Sequence, residues 1–132
     1  MGMRDYKHML CSAQVMGNAA DEYTDDEVYS GVTTPAENQT GNWGLHMTVT
    51  TTFTGLDSGV IVWIVHGAAT TPTTQHTGMF IPVASLVKGA HFFIPAGNVD
   101  LLAYKRGLFD IVNEVATAGA VDMWFGQTDM TK

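Results

Sequence analysis

Leu45-His46-Met47-Thr48-Val49-Thr50-Thr51-Thr52-Phe53-Thr54 runs through Gly55-Leu56-Asp57-Ser58-Gly59 into Val60-Ile61-Val62-Trp63-Ile64-Val65-His66, and this stretch decides the fold. Its first half alternates. Leu45, Met47, Val49, Thr51 and Phe53 fall on one side of an extended chain, and His46, Thr48, Thr50 and Thr52 on the other. A period of two, built from β-branched Thr and Val, is the pattern of a strand with one dry face and one wet face. In the second half Val60, Val62 and Ile64 oppose Ile61, Trp63 and Val65. Both faces are apolar, so a central strand covered on both sides is expected. The turn-forming cluster between the halves predicts a hairpin with a loop of about five residues.

Weaker strands lie outward from this pair. Met9, Cys11, Ala13 and Val15 alternate with Leu10, Ser12, Gln14 and Met16, and Glu27 to Ser30 reads as a short strand. Met79 to Ile81 stops at Pro82 and His91 to Ile94 stops at Pro95, as strands at an edge or an end do. From Leu108 to Val115, Phe109, Ile111, Asn113 and Val115 alternate with Leu108, Asp110, Val112 and Glu114. Val121, Met123 and Phe125 then alternate with Ala120, Asp122 and Trp124, and Thr117-Ala118-Gly119 predicts a tight hairpin between the last two strands. One short helix is expected over Val83 to Lys88, between Pro82 and Gly89. The whole reads as all-β: a jelly-roll-like β-sandwich of about eight short antiparallel strands.

The chain has 132 residues, enough for a single β-sandwich domain over 1–132, with residues 1–8 read as an N-terminal arm. Charged residues make up 14%, well under the usual quarter, and a neutral polar surface is covered by a neighbour at little desolvation cost. Net charge is −7, and the six Lys and Arg are dispersed, which argues against nucleic acid and anionic membranes as partners. The longest apolar run, Val60 to Val65, is too short to span a bilayer. Met1-Gly2-Met3-Arg4-Asp5 opens without a signal-peptide pattern, so a cytosolic origin is expected.

Reactive chemistry finds little support. Asp21, Glu22, Asp25, Asp26 and Glu27 form an acidic run without the spacing of a calcium loop, and a solvated loop is the simpler reading. His8, His46, His66, His76 and His91 include no H-x-H pair of the cupin kind, so no metal and no cofactor are expected. Cys11 falls on the apolar face of its strand, where a free thiol is buried and inert. No nucleophile elbow, P-loop or dinucleotide fingerprint occurs, and an enzyme is not expected. Trp43, in Gly41-Asn42-Trp43-Gly44, leaves two readings open: a ring that stacks on a sugar or anchors a protein contact, or one folded back over the open end of the sandwich.

From Met9 onward the segments come in a definite order, beginning with Leu10-Cys11-Ser12-Ala13-Gln14-Val15, the Gly/Asn-rich loop Gly31 to Gly44, the Thr-rich strand Thr48 to Thr54 and the apolar strand Val60 to Val65. They continue with the run from Ile81-Pro82 through Leu86-Val87-Lys88-Gly89 to Phe92-Phe93-Ile94-Pro95, then Tyr104-Lys105-Arg106-Gly107-Leu108-Phe109 and Thr117-Ala118-Gly119. This order resembles that of the small capsid cement (decoration) proteins of tailed bacteriophages. Gly107 and Asp110 depart from the family's pattern. The resemblance implies a jelly roll that forms homodimers or homotrimers and binds the outer surface of the phage head. There it would stabilise junctions between major capsid protein subunits, after synthesis in the host cytoplasm. Arg4, Asp5, Tyr6 and Lys7 of the arm, together with Trp43, are the candidate capsid or oligomer contacts. A carbohydrate-binding sandwich displayed on a virion is the alternative.

Overall fold

The computed structural model describes residues 9–16, 21–29, 43–97, 103–111 and 115–127. Among these, nine strands follow one another: β1 (Met9–Val15), β2 (Asp21–Tyr23), β3 (Val28–Tyr29), β4 (Trp43–Thr54), β5 (Gly59–Gly67), β6 (Thr74–Pro82), β7 (His91–Pro95), β8 (Tyr104–Ile111) and β9 (Ala118–Gln127). The expected helix is a single 3₁₀ turn, Val83–Ser85.

All pairings are antiparallel, and they divide into two sheets. One has the order β1-β9-β4-β7, the other β2-β8-β5-β6, with β3 also on β8. The pairs nest: β5 with β6, β4 with β7, β2 and β3 with β8, β1 with β9. A long antiparallel ribbon whose tip is the β5–β6 connection, rolled up on itself, produces this order, which is that of a jelly roll. β2 and β3 share one of its eight positions. The break between them is held by Thr24, whose N–H donates to Gly107 O at 3.0 Å while its Oγ1 accepts Gly107 N–H at 3.2 Å.

The core is where alternation put it. Leu45, Met47, Val49 and Phe53 of β4 and Val121, Met123 and Phe125 of β9 meet Val60, Val62 and Ile64 of β5 and Phe109 and Ile111 of β8. Phe53 and Phe109 stack across the two sheets with centroids 5.1 Å apart. Gly107 has a packing reason: a Cβ there would stand 2.9 Å from Met123 Sδ, so this glycine lets the sheets approach.

Several expectations are corrected. β4 and β5 are not a hairpin, because β4 lies between β9 and β7 while β5 lies between β8 and β6. The connection crosses from one sheet to the other, and Leu56, only 7% exposed, joins the core at the corner. β8 and β9 likewise sit in different sheets and make no hairpin. β6 starts earlier than its apolar residues announce, at Thr74, and β8 begins at Tyr104, while the expected continuation over Val112 to Glu114 lies outside the described residues. Thr51, expected on the dry face, is exposed because register shifts on both sides of it interrupt the β4–β9 ladder. His46, expected on the wet face, is fully buried. β5 is central, with Val60, Val62 and Ile64 buried, but Ile61 and Trp63 on its second face are only half-covered.

Candidate functional site

Trp43 opens β4 and stacks on Phe125, with centroids 4.8 Å apart and planes 7° from parallel. Its carbonyl accepts Ala96 N–H at 3.0 Å, and Ala96 O accepts the His76 Nε2 proton at 2.7 Å. Only 3% of Trp43 is exposed, so the ring closes the end of the sandwich and is not displayed as a stacking platform or contact anchor. Arg4, Asp5, Tyr6 and Lys7 lie outside the described residues.

The same end of the sandwich gathers basic groups. His66 of β5 stands opposite Lys105 of β8, and the His66 and His76 rings meet edge to face at 5.9 Å. Lys105 shares the inward parity of Gly107, Phe109 and Ile111, and its ammonium donates to Ala103 O at 3.4 Å. Burial pushes Lys105 down to about 8. His66 is lowered too, by burial first and then by the neighbouring His76 and Lys105. Arg106, of opposite parity, donates from Nε to Pro72 O at 2.8 Å and holds its guanidinium 3.7 Å above the Tyr23 ring.

The four-stranded sheet carries a polar-aromatic cluster on the face turned away from the core. His46 lies parallel to Trp124 at 5.2 Å, and neither has solvent-accessible surface. His46 Nδ1 and His91 Nε2 are 3.0 Å apart, and His91 Nδ1 is 3.0 Å from Thr48 Oγ1. One proton lies between the two imidazoles, which fixes their tautomers relative to each other. Asp122 is 8% exposed and accepts Ala13 N–H at 2.6 Å. That bond holds the β1 bulge, where Ala13 takes φ 49°. Cys11 is buried as expected, its thiol donating to Val121 O at 3.6 Å. Burial pushes it up to about 12, so the nucleophilic thiolate is strongly disfavoured.

The five-stranded sheet presents something different. Its outer face carries Ile61 and Trp63 of β5 and Phe80 of β6, and Phe80 is 56% exposed. Trp63 lies over Gly78, where a Cβ would come within 2.7 Å of the indole, and its Nε1 donates to Asp110 Oδ2 at 3.4 Å. The acidic run does not converge: Asp25 and Asp26 are exposed, while Glu27 Oε1 accepts Thr71 N–H at 2.8 Å. Among the described residues, no group of three or more His, Cys, Asp or Glu is placed to hold a metal ion. The arrangement is suited to binding through apolar area, with its polar groups spent on holding strands together.

Sequence reasoning missed the His46–His91–Thr48 chain and the inward Lys105. The parity of Lys105 with Phe109 and Ile111 was a usable signal for the second. For the first there was none, because β4 and β7 are remote in sequence. No known protein-family model matches this chain, and no curated protein sequence is recognisably similar to it.

Proposed function

We propose that this chain is a capsid cement protein, binding the outer surface of a phage head and stabilising the shell across junctions between major capsid protein subunits. The observation that carries the reading is the nested jelly-roll strand order. This is the fold that the sequence resemblance implies, and among the described residues β1, β4, β5, β7 and β8 fall in segments that carry that resemblance. A sandwich packed on Phe53, Phe109, Met123 and their neighbours is stiff, and a stiff body spanning a seam adds buried area there. Repetition over a shell multiplies a modest contact into firm attachment. Its acidic character agrees with a position away from packaged DNA.

The carbohydrate-binding alternative loses its anchor, since Trp43 is stacked on Phe125. The test is co-sedimentation of the purified chain with expanded, DNA-free phage shells. Stoichiometric binding and a raised shell disruption temperature are expected. Shells that remain bare, with a glycan array giving the signal instead, would overturn the reading.

A further inference from the structure

On the outer face of the four-stranded sheet, two rows of side chains cross the strands. Met9, Trp124, His46 and Phe93 stand side by side on β1, β9, β4 and β7, and in the next row Asp122, Thr48 and His91 do so on β9, β4 and β7. His46 sits on a central strand, parallel to Trp124 at 5.2 Å and tilted on Phe93 at 4.8 Å, and it has no accessible surface. His91 opens the edge strand β7 and is half-buried, its ring 5.1 Å from that of His46 and 5.6 Å from that of Trp124. The two imidazoles share a contact but differ in freedom, for His91 alone of the pair reaches water.

Counting protons decides what that contact permits. The two rings have four nitrogens, and His46 Nδ1 and His91 Nε2, 3.0 Å apart, have room for one proton between them. The neutral pair carries two protons. A third fills both outer nitrogens, with His91 Nδ1 donating to Thr48 Oγ1 at 3.0 Å, and makes the shared bond charge-assisted. Its positive charge lies beside the Trp124 ring, and Asp122 stands next in the row beyond Thr48. A fourth proton sets two N–H groups head to head at 3.0 Å, where one of the two nitrogens has to be an acceptor. The other charged side chains of the described residues around this sheet stand at its margins. Lys88 is exposed beside Thr52, whose Oγ1 accepts the Lys88 backbone N–H at 2.9 Å, and the exposed Asp25 and Asp26 lie along β1 at the opposite edge.

We propose that His46 and His91 form an acid-sensitive latch on this face: closed, the pair holds three protons at most, and a fourth is taken up only as the His91 ring swings out to solvent. His91 is the ring that leaves, because His46 is enclosed between Trp124 and Phe93 on a central strand. The open form binds one proton more than the closed form, so falling pH favours opening. Below about pH 6.5, where a released imidazole is half-protonated, the open-to-closed ratio rises about tenfold per pH unit. The backbone of β7 stays in place, since Val49 N–H donates to Ala90 O at 2.9 Å, Gly89 N–H donates to Val49 O at 2.8 Å, and Ile94 is anchored in the core. The change is therefore local, a side-chain switch on an otherwise fixed sheet. The inference rests on the imidazole contact alone and stands apart from the capsid reading.

NMR of the full chain with isotope-labelled histidine, taken from about pH 7.5 to about pH 4.5, tests it. At neutral pH a scalar coupling between His46 Nδ1 and His91 Nε2 is expected, and it should persist while one imidazolium forms. The second imidazolium is expected only as that coupling and the contacts between the His91 and Trp124 rings vanish, with the β4–β7 amides still protected. His91→Gln keeps a donor and an acceptor at this half-buried position but cannot be charged. It is expected to hold the side chain at position 91 against Trp124 over the whole range. Two imidazolium rings with the coupling intact overturn the proposal. So does a pair without coupling at neutral pH, a pair that stays closed down to about pH 4.5, or a His91→Gln side chain that leaves as readily in acid as the wild type. If His91→Gln does not fold, the wild-type coupling decides alone. Shell binding is scored separately, so failure of the latch leaves the capsid reading intact.

Discussion

The two sheets treat their outer faces in opposite ways. On the four-stranded sheet, His46 and Trp124 are stacked and without accessible surface, tied through His91 to Thr48. On the five-stranded sheet, Ile61 and Trp63 are half-covered and Phe80 is left 56% exposed. A histidine is therefore sealed while a phenylalanine faces water, the reverse of what side-chain polarity alone suggests. Alternation assigns a residue to a face; whether that face is covered depends on what the rest of the chain lays against it.

The largest test of this contrast pairs one aromatic from each face. Trp124→Ala is expected to destabilise by about 3–5 kcal/mol in urea unfolding, as truncation of a buried aromatic does. Phe80→Ala in the monomer is expected to stay within about 0.5 kcal/mol. Comparable losses at both positions would erase the distinction between the faces.

A second test uses alkaline pH, where one buried group from each sheet acts with opposite sign. Unfolded Lys105 keeps its proton to 10.5 but the folded chain releases it near about 8, so this group makes stability rise with pH between those values. Unfolded Cys11 loses its proton at 9.0 but the folded thiol holds it to about 12, so stability falls across that window. Each contribution is on the order of a few kcal/mol. In unfolding measured from pH 8 to 11, Lys105→Met should remove the rise and Cys11→Ala the fall. A profile unchanged by either substitution would contradict the burial assigned to these groups.

The smallest effect is expected at the edge bulge. Ala13 sits at φ 49° with its N–H bonded to Asp122. Ala13→Gly relieves that conformation and should be neutral or stabilising by up to about 1 kcal/mol. Thermal melting would show it, and a clear loss would mean that the methyl group itself is packed.

Much of the fold was legible in the sequence. Leu45, Met47, Val49 and Phe53 declared one face of β4, and Val121, Met123 and Phe125 declared one face of β9, because a strand's side chains alternate regardless of its neighbours. The errors share one cause. Gly55 to Gly59 and Thr117 to Gly119 look like hairpin turns, yet each leads between sheets, since a turn's local chemistry is the same whether the next strand pairs alongside or packs across the core. The candidate contacts were less legible still. Trp43 was readable as an aromatic between glycines, but its stacking on Phe125 depends on a residue more than eighty positions away.

Taken by itself, the order of residues determined that this chain is all-β, which side chains seek the interior and where the chain turns, because these depend on backbone sterics and on neighbours one or two positions apart. Only the tertiary structure decided which strands became partners and that His46 and Lys105 are buried. Those outcomes depend on segments distant along the chain meeting in space, and alternation of side chains carries no information about which distant segment that will be.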